Sequence, residues 1–276
     1  DMMAGLAKTG YKPFFAVYST FFQRAFDQAF QEVALQGLPV RLCMDRAGLV
    51  GGDGAVHHGF CDISLLRVFP DVAMLAPIDE PSLRAGLEFM REYDRGISAV
   101  RYPRDSVDDL LADTECPPFV AGRARPLRVA DHPDVAVLGY GSLTLDALRV
   151  ARDLAAEYEI SVYDARFARP LDTDLLTALL ERDIPVITLE DHGIEGGFGS
   201  CVLDAAHEIG LDTRLIHRMG IPCRWIHQGS RAGQLEEAEL DDASIARRIR
   251  AVVDAHTGTP DAPAERPTEA ARTDAD

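Results

Sequence analysis

Apolar runs alternate with helix-period segments almost from the start of the chain. Residues 14–18 (FFAVY) read as a buried strand, and Phe22, Ala25, Phe26, Ala29, Phe30 and Val33 then recur at helical spacing. Residues 40–44 form a second strand-like run, and the glycine-rich stretch 46–59 can only be a loop. Residues 72–75 predict a strand, 80–93 a helix and 97–100 another strand. Pro103 and the Pro117-Pro118 pair then interrupt the pattern, and the residues between them resemble a linker. A second series follows: strands at 135–138, 160–163, 184–189 and 213–216, with helices at 142–158, 198–209 and 243–255. Strand runs too apolar to face water, alternating with helices, predict parallel sheets covered on both faces. The expected fold is therefore α/β with two domains, each a mostly parallel sheet flanked by helices, over residues 1–118 and 119–256. Residues 257–276, mostly Pro, Ala, Thr, Asp and Glu, carry too little apolar surface to fold and are expected to be a disordered acidic tail.

Composition narrows the function. A formal charge of −17 over 276 residues argues against nucleic acid or an anionic membrane as partner. No run approaches the ~20 consecutive apolar residues of a membrane helix, and nothing at the start reads as a signal peptide. The chain opens on Asp1, which suggests a fragment or a processed product. Cys43, Cys61, Cys116, Cys201 and Cys223 are odd in number, widely spaced and free of any C-x-x-C, so a reducing, cytoplasmic setting is expected. Lys8 and Lys12 are the only lysines, so arginine as such says little about function.

Candidate chemistry concentrates in D-R-A-G-L-V-G-G-D-G-A-V-H-H-G, residues 45–59. It leaves the C-terminal end of a predicted parallel strand, where α/β sheets place their ligands. Its glycines allow close backbone approach, and one carboxylate (Asp53) with two imidazoles (His57, His58) suits proton transfer near neutral pH. A plain tight loop remains open, and the G-x-G-x-x-G order of a dinucleotide site is missing. Asp53 and His57 could share a metal, but no third ligand is evident. The run Gly196 to Gly199 before a helix reads either as a phosphate cradle or as a closely packed helix start.

Taken in order, Y-S-T-F-F-Q-R-A-F-D-Q (18–28), the 45–59 loop and V-R-Y-P-R (100–104) resemble the pyrimidine-binding domain of 1-deoxy-D-xylulose-5-phosphate synthases. R-F-A-R-P-L-D (166–172), E-D-H (190–192) and G-G-F-G-S (196–200) resemble the transketolase-type C-terminal domain of the same family. The G-x-D-G-x-x-H core is shared with transketolases at large, while the first motif and D-R-A-G are particular to the synthases. The resemblance implies a thiamine-diphosphate-dependent transferase that condenses pyruvate, with decarboxylation, and glyceraldehyde 3-phosphate. It places Phe21 against the cofactor's aminopyrimidine, Tyr18, Arg46 and Arg104 on the acceptor's phosphate, and Asp53 and His57 near the reacting carbons. His57 would donate a proton to the forming alkoxide and Asp53 would orient hydroxyls. On residue type alone, Phe21 reads as a core residue and Arg46 and Arg104 as surface charges. Arg24 and Arg101, close to these motifs, could be structural ion-pair partners.

Some family features differ or lie elsewhere. Val56 stands where the family usually has Thr, His58 where it often has Gln, and Phe60-Cys61 precede Asp62, where a Phe usually stands directly before the Asp. The glutamate that activates the aminopyrimidine belongs to an A-E-Q-H stretch ahead of Gly5-Leu6-Ala7, so the chain is expected to begin after it. The G-D-G motif for diphosphate and Mg2+ belongs to an N-terminal diphosphate-binding domain, expected as a partner; no metal ligand is expected in this chain. A homodimer is implied as well. Alternatives are the β-subunit-like half of another thiamine enzyme (2-oxoacid dehydrogenase or split transketolase) and a non-catalytic, oligomerising half.

Overall fold

A computed structural model describes residues 1–258, so the expected acidic tail lies, from residue 259, outside the described residues. The first half runs through α1 (Met2–Lys8), β1 (Phe14–Tyr18), α2 (Phe26–Gln28), β2 (Arg41–Asp45), α3 (Asp62–Leu66), β3 (Ala73–Leu75), α4 (Glu80–Glu92) and β4 (Ser98–Arg101). The second half contains β5 (Arg125–Arg128), β6 (Val135–Tyr140), α5 (Leu143–Asp153), β7 (Ile160–Asp164), β8 (Phe167–Arg169), α6 (Thr173–Leu180), β9 (Val186–Gly193), α7 (Phe198–Glu208), β10 (Ile216–Ile221), α8 (Arg231–Glu237) and α9 (Asp242–Thr257). Two five-stranded sheets result, ordered β1-β2-β4-β3-β8 and β10-β9-β6-β7-β5. Each is parallel except for one antiparallel edge strand, β8 on β3 and β5 on β7. This is the α/β architecture with mostly parallel sheets that the pattern predicts.

One strand crosses between the halves. β8 belongs by sequence to the second half but completes the first sheet, with Phe167 opposite Leu75 and Arg169 opposite Met74. Phe167 is fully buried against Phe89 and Phe119, at 5.1 and 5.6 Å between ring centroids. A three-residue strand gives no periodicity to read, so the alternation of hydrophobic runs does not reveal it. The proline-bounded stretch after Pro103 forms neither helix nor strand, yet it is tied down. Arg166 donates to the carbonyls of Pro117 (2.9 Å) and Pro118 (2.8 Å), and Leu111 is buried.

The expected helix over 22–33 is a composite: a 3-10 turn over Ser19–Ala25, then α2, then a π turn over Ala29–Ala34. The wider π turn lets Phe26 and Phe30 both lie over Phe69, at 5.2 and 6.4 Å. The helix after β6 stops at Asp153, where Leu154 turns into the core. The last strand of the second sheet starts at Ile216 because Asp212 accepts the Arg214 N–H and holds Thr213–Leu215 in a 3-10 turn. α1, α3, α6, α8 and β5 are short and were not evident from periodicity. α4 begins with a reciprocal cap, Ser82 N–H to Asp79 Oδ1 at 2.8 Å and Asp79 N–H to Ser82 Oγ at 3.0 Å. Among the described residues no helix is long and apolar enough to cross a membrane.

Candidate active site

Parallel register brings the candidate residues to one edge of the first sheet. Tyr18 ends β1 opposite Asp45 at the end of β2, and Arg101 ends β4 opposite Met44. Tyr18, Arg46 and Arg104 thus emerge together at the carboxyl edge, where parallel sheets present ligand-binding loops.

Of the six residues singled out in the sequence, five then close into one circuit and Arg104 joins it through Asp53. The Arg46 guanidinium sits 3.9 Å from the centroid of the Tyr18 ring. Tyr18 stacks on Phe21 at 5.4 Å with planes 9° apart, and Phe21 meets His57 edge-on at 5.6 Å. His57 Nδ1 lies 2.9 Å from the Asp53 carbonyl oxygen. The Asp53 carboxylate returns to Arg46 Nε at 3.3 Å and reaches Arg104 Nη1 at 3.4 Å. Arg46 also donates to Asp45 at 2.6 Å. Phe21 is 39% exposed while its neighbour Phe22 is 1% exposed, because the 3-10 turn points one ring outward and the other into the core. Core packing therefore describes Phe22, not Phe21. Arg24 lies at the rim, 5.9 Å from the Phe21 ring.

The two adjacent histidines differ in state. A carbonyl oxygen only accepts, so His57 Nδ1 carries the hydrogen and Nε2 is the nitrogen able to exchange a proton. His58 is buried; its Nδ1 accepts from Val50 N–H at 3.2 Å, so Nε2 must carry the hydrogen donated to the Ile226 carbonyl at 3.1 Å. Burial lowers its pKa, which keeps the ring neutral and the tautomer fixed. His58 is a loop brace. Val56 sends its side chain to solvent at 76% exposure, while its carbonyl accepts from Thr20 Oγ1 at 3.2 Å.

The grip on this loop comes largely from the second half and was not foreseen in the sequence. Asp191 accepts Leu49 N–H at 3.0 Å and the Arg231 guanidinium at 2.5 Å. Gln234, buried, accepts Gly51 N–H at 2.8 Å and donates to the Gly51 carbonyl at 3.1 Å. Gln228 donates to the Gly52 carbonyl at 2.8 Å. Gly48, at φ +79°, leaves room for this: a Cβ there would lie 2.1 Å from the Asp191 carboxylate carbon. E-D-H could be marked as a motif, but nothing in the sequence tied Asp191, Gln228 or Gln234 to residues 48–52.

Arg101 is a structural pair partner. Its Nε donates to Asp62 at 2.8 Å and its Nη2 to the Asp191 carbonyl at 2.9 Å, all buried. Burial pushes the Asp62 carboxyl up, but Arg101 outweighs it and holds it below the usual carboxylate range.

The Gly196–Gly199 turn also resolves. Glu190, fully buried, accepts Phe198 N–H at 2.5 Å and Gly199 N–H at 2.8 Å, so the start of α7 is already occupied by a side-chain carboxyl. A Cβ on Gly197 would meet Glu190 Oε2 at 2.2 Å. The turn is a closely packed helix start. Burial pushes Glu190 up to about 8 against those two donors. His192, also buried, donates from Nδ1 to the Gly193 carbonyl (2.9 Å) and accepts Ile63 N–H at Nε2 (3.2 Å); burial lowers it to about 4. Among the described residues, no group of three His, Cys, Asp or Glu side chains could hold a metal ion.

Residues 1–108 match the family model "Transketolase, pyrimidine binding domain" and residues 123–245 match "Transketolase, C-terminal domain". The chain is 41% identical over 270 residues to the 1-deoxy-D-xylulose-5-phosphate synthase of Synechococcus sp. (strain JA-2-3B'a(2-13)), covering 97% of this chain and 41% of that protein. It is 42% identical over 248 residues to 1-deoxy-D-xylulose-5-phosphate synthase 1 of Geobacter metallireducens, covering 90% of this chain and 39% of that protein. The chain therefore spans about two fifths of the length of these relatives. Among solved structures it resembles a split gene transketolase described as an inactive β4 tetramer, with TM-score 0.79, 25% identity and coverage of 91% and 79% of the two chains. A transketolase from Leishmania mexicana shares the fold at TM-score 0.73 and 15% identity, covering 95% of this chain and 37% of that one.

Proposed function

We propose that this chain, which belongs to the transketolase-like family through its pyrimidine-binding and C-terminal domains, forms the C-terminal half of a thiamine-diphosphate-dependent transferase. Its reaction joins pyruvate, with loss of carbon dioxide, to glyceraldehyde 3-phosphate, giving 1-deoxy-D-xylulose 5-phosphate for isoprenoid synthesis. The observation that carries this reading is the closed circuit of Tyr18, Phe21, Arg46, Asp53 and His57 at one sheet edge, joined by Arg104 through Asp53. The named relatives, at about 40% identity across nearly all of the chain, support this choice of substrates.

The residues present suit the pyrimidine end of the cofactor, since Phe21 offers a half-open aromatic ring beside His57. Thiamine diphosphate, when bound, supplies the electron sink for decarboxylation. Its diphosphate and Mg2+ we assign to the diphosphate-binding domain of a partner, with a second copy of the assembly completing a dimer in the cytosol.

Arg46 and Arg104 supply planar forks that bind phosphate oxygens, and Tyr18 holds Arg46 over its ring. In the structure both arginines face the Asp53 carboxylate. An incoming phosphate dianion would take over these guanidinia and free Asp53 to accept from the substrate's hydroxyls. His57, as the imidazolium with a second proton on Nε2, would pass that proton to the acceptor oxygen and remain neutral, its Nδ1–H being committed throughout to the Asp53 carbonyl.

The test mixes this chain with the diphosphate-binding half of a relative, thiamine diphosphate and Mg2+. Pyruvate consumption that requires glyceraldehyde 3-phosphate is expected. A requirement for a lipoyl acceptor instead would make it a 2-oxoacid dehydrogenase half. No turnover with either acceptor, with the cofactor failing to bind, would leave a non-catalytic, oligomerising half. The likeness to a separately encoded transketolase chain favours one further reading, a split transketolase half, which would transfer two-carbon units between sugars and leave pyruvate untouched.

A further inference from the structure

One groove in the second half carries a charge opposite in sign to that of the whole protein. Beside the carboxyl end of β10 lies a groove of about 550 Å³ lined by Arg218, Arg224, Arg247 and Arg248 against two carboxylates, Glu237 and Glu239. The chain as a whole has 28 strong cations against 45 carboxylates, so four guanidinia around one concavity reverse the local balance.

The lining is set by the fold. β10 is the edge strand of the second sheet, and Arg218 reaches the groove with Nη1 fixed on the Ile194 carbonyl (2.8 Å) and Ser200 Oγ (3.1 Å). α9 buries Ile245, Ile249, Val252 and Val253 in the core and turns Ser244, Arg247, Arg248 and Ala251 toward the groove, a face repeating at three and four residues. Two successive arginines are thus held over a concavity by the helix's own amphipathic register.

Neutralisation is incomplete. Arg224 pairs with Glu237 at 2.6 Å. Among the described residues, Arg218, Arg247 and Arg248 have no carboxylate within ion-pair distance; Arg247 donates to the Ser244 hydroxyl at 2.7 Å, which in turn donates to Asp241, so that carboxylate is reached only through the hydroxyl. Four guanidinia sharing a groove with two carboxylates are under-neutralised, and a multiply charged anion spanning them supplies the missing counter-charge while using their paired N–H donors. The groove volume suits a small metabolite.

We propose that this groove is a second anion site, separate from the Tyr18/Arg46/Arg104 cluster, and that it takes a small phosphoryl-bearing ligand with at least two negative charges. It does not depend on the catalytic reading, because its four arginines lie on β10, α9 and the segment between them.

The test titrates inorganic pyrophosphate into the full chain at constant ionic strength, by calorimetry and thermal unfolding. It is run in an Arg46→Ala/Arg104→Ala background, so that the catalytic-loop arginines contribute nothing. Saturable binding is expected there, weakened at least tenfold by adding Arg247→Ala/Arg248→Ala, whose unliganded Tm should stay within a few degrees because both side chains are exposed. Three results overturn the proposal: no binding in the Arg46→Ala/Arg104→Ala chain, binding undiminished by the α9 substitutions, or the same response to chloride at equal ionic strength.

Discussion

Two glycine-rich segments follow the ends of parallel strands in this molecule, and they look alike in composition. One follows β2 and carries Asp53 and His57; the other follows β9, whose last residues include Glu190 and His192. In the first, the carboxylate and imidazole are half-buried, the carboxylate faces arginines, and one histidine nitrogen is uncommitted. In the second, both side chains are fully buried, their hydrogen bonds go to backbone groups, and burial drives both toward their neutral forms. The same residue types therefore make a reactive loop in one place and a scaffold in the other. What separates them is solvent access and what satisfies each polar atom.

The sharpest way to break this comparison is steric. Gly48→Ala places a methyl on the Asp191 carboxylate at positive φ, and Gly197→Ala places one on Glu190. Each should cost about 3 kcal/mol or more in denaturant unfolding. Gly48→Ala should also abolish turnover of the reconstituted enzyme beyond its stability loss. Next in size is a pH effect. His192 is held neutral with its pKa lowered to about 4, against about 6.5 in an unfolded chain. As pH falls from about 6.5 to about 4 the unfolded state takes a proton that the folded state refuses, so stability falls, by on the order of 3 kcal/mol. In His192→Asn that acid limb should flatten by about one proton. An unchanged slope would mean the ring already titrates in the folded protein.

Smaller effects sharpen the reactive side. Arg104→Ala should lower kcat/KM for a phosphorylated acceptor by roughly 10- to 100-fold, the worth of a charge-assisted hydrogen bond, and leave an unphosphorylated aldehyde nearly unaffected. Equal losses with both acceptors would remove Arg104 from phosphate binding. Gln234→Ala, which frees both backbone groups of Gly51, should cost about 1–3 kcal/mol, whereas Gln228→Ala, at an exposed contact, should cost less than about 1 kcal/mol. A reversed ranking would place the main grip on the loop elsewhere.

Much of this was legible in the chain itself. The alternation of strand and helix patterns gives both sheets, and the motifs at 18–28, 45–59 and 100–104 mark the five residues of the circuit and Arg104, because parallel strands bring their ends to one edge. Three kinds of feature stayed hidden. β8 is too short for a period and belongs to the sheet of the other half. The composite 3-10, α and π segment keeps helical spacing while changing which ring faces out, so Phe21 and Phe22 could not be told apart by pattern. The braces on the loop, Asp191, Gln228 and Gln234, lie well over a hundred residues away in the chain, and hydrogen bonds to backbone atoms leave no composition signal. Residue type alone also left the two histidines of the loop equivalent; burial and partners separate His57 from His58.

The most direct measurement substitutes His57 with Ala in the chain reconstituted with its diphosphate-binding half, recording turnover and unfolding on one preparation. A fall of roughly 100-fold or more in glyceraldehyde 3-phosphate-dependent pyruvate consumption is expected, with stability changed by less than about 0.5 kcal/mol. Near-normal turnover, or a loss of turnover matched by an equal loss of folding, would contradict the assignment of this loop as the reactive one.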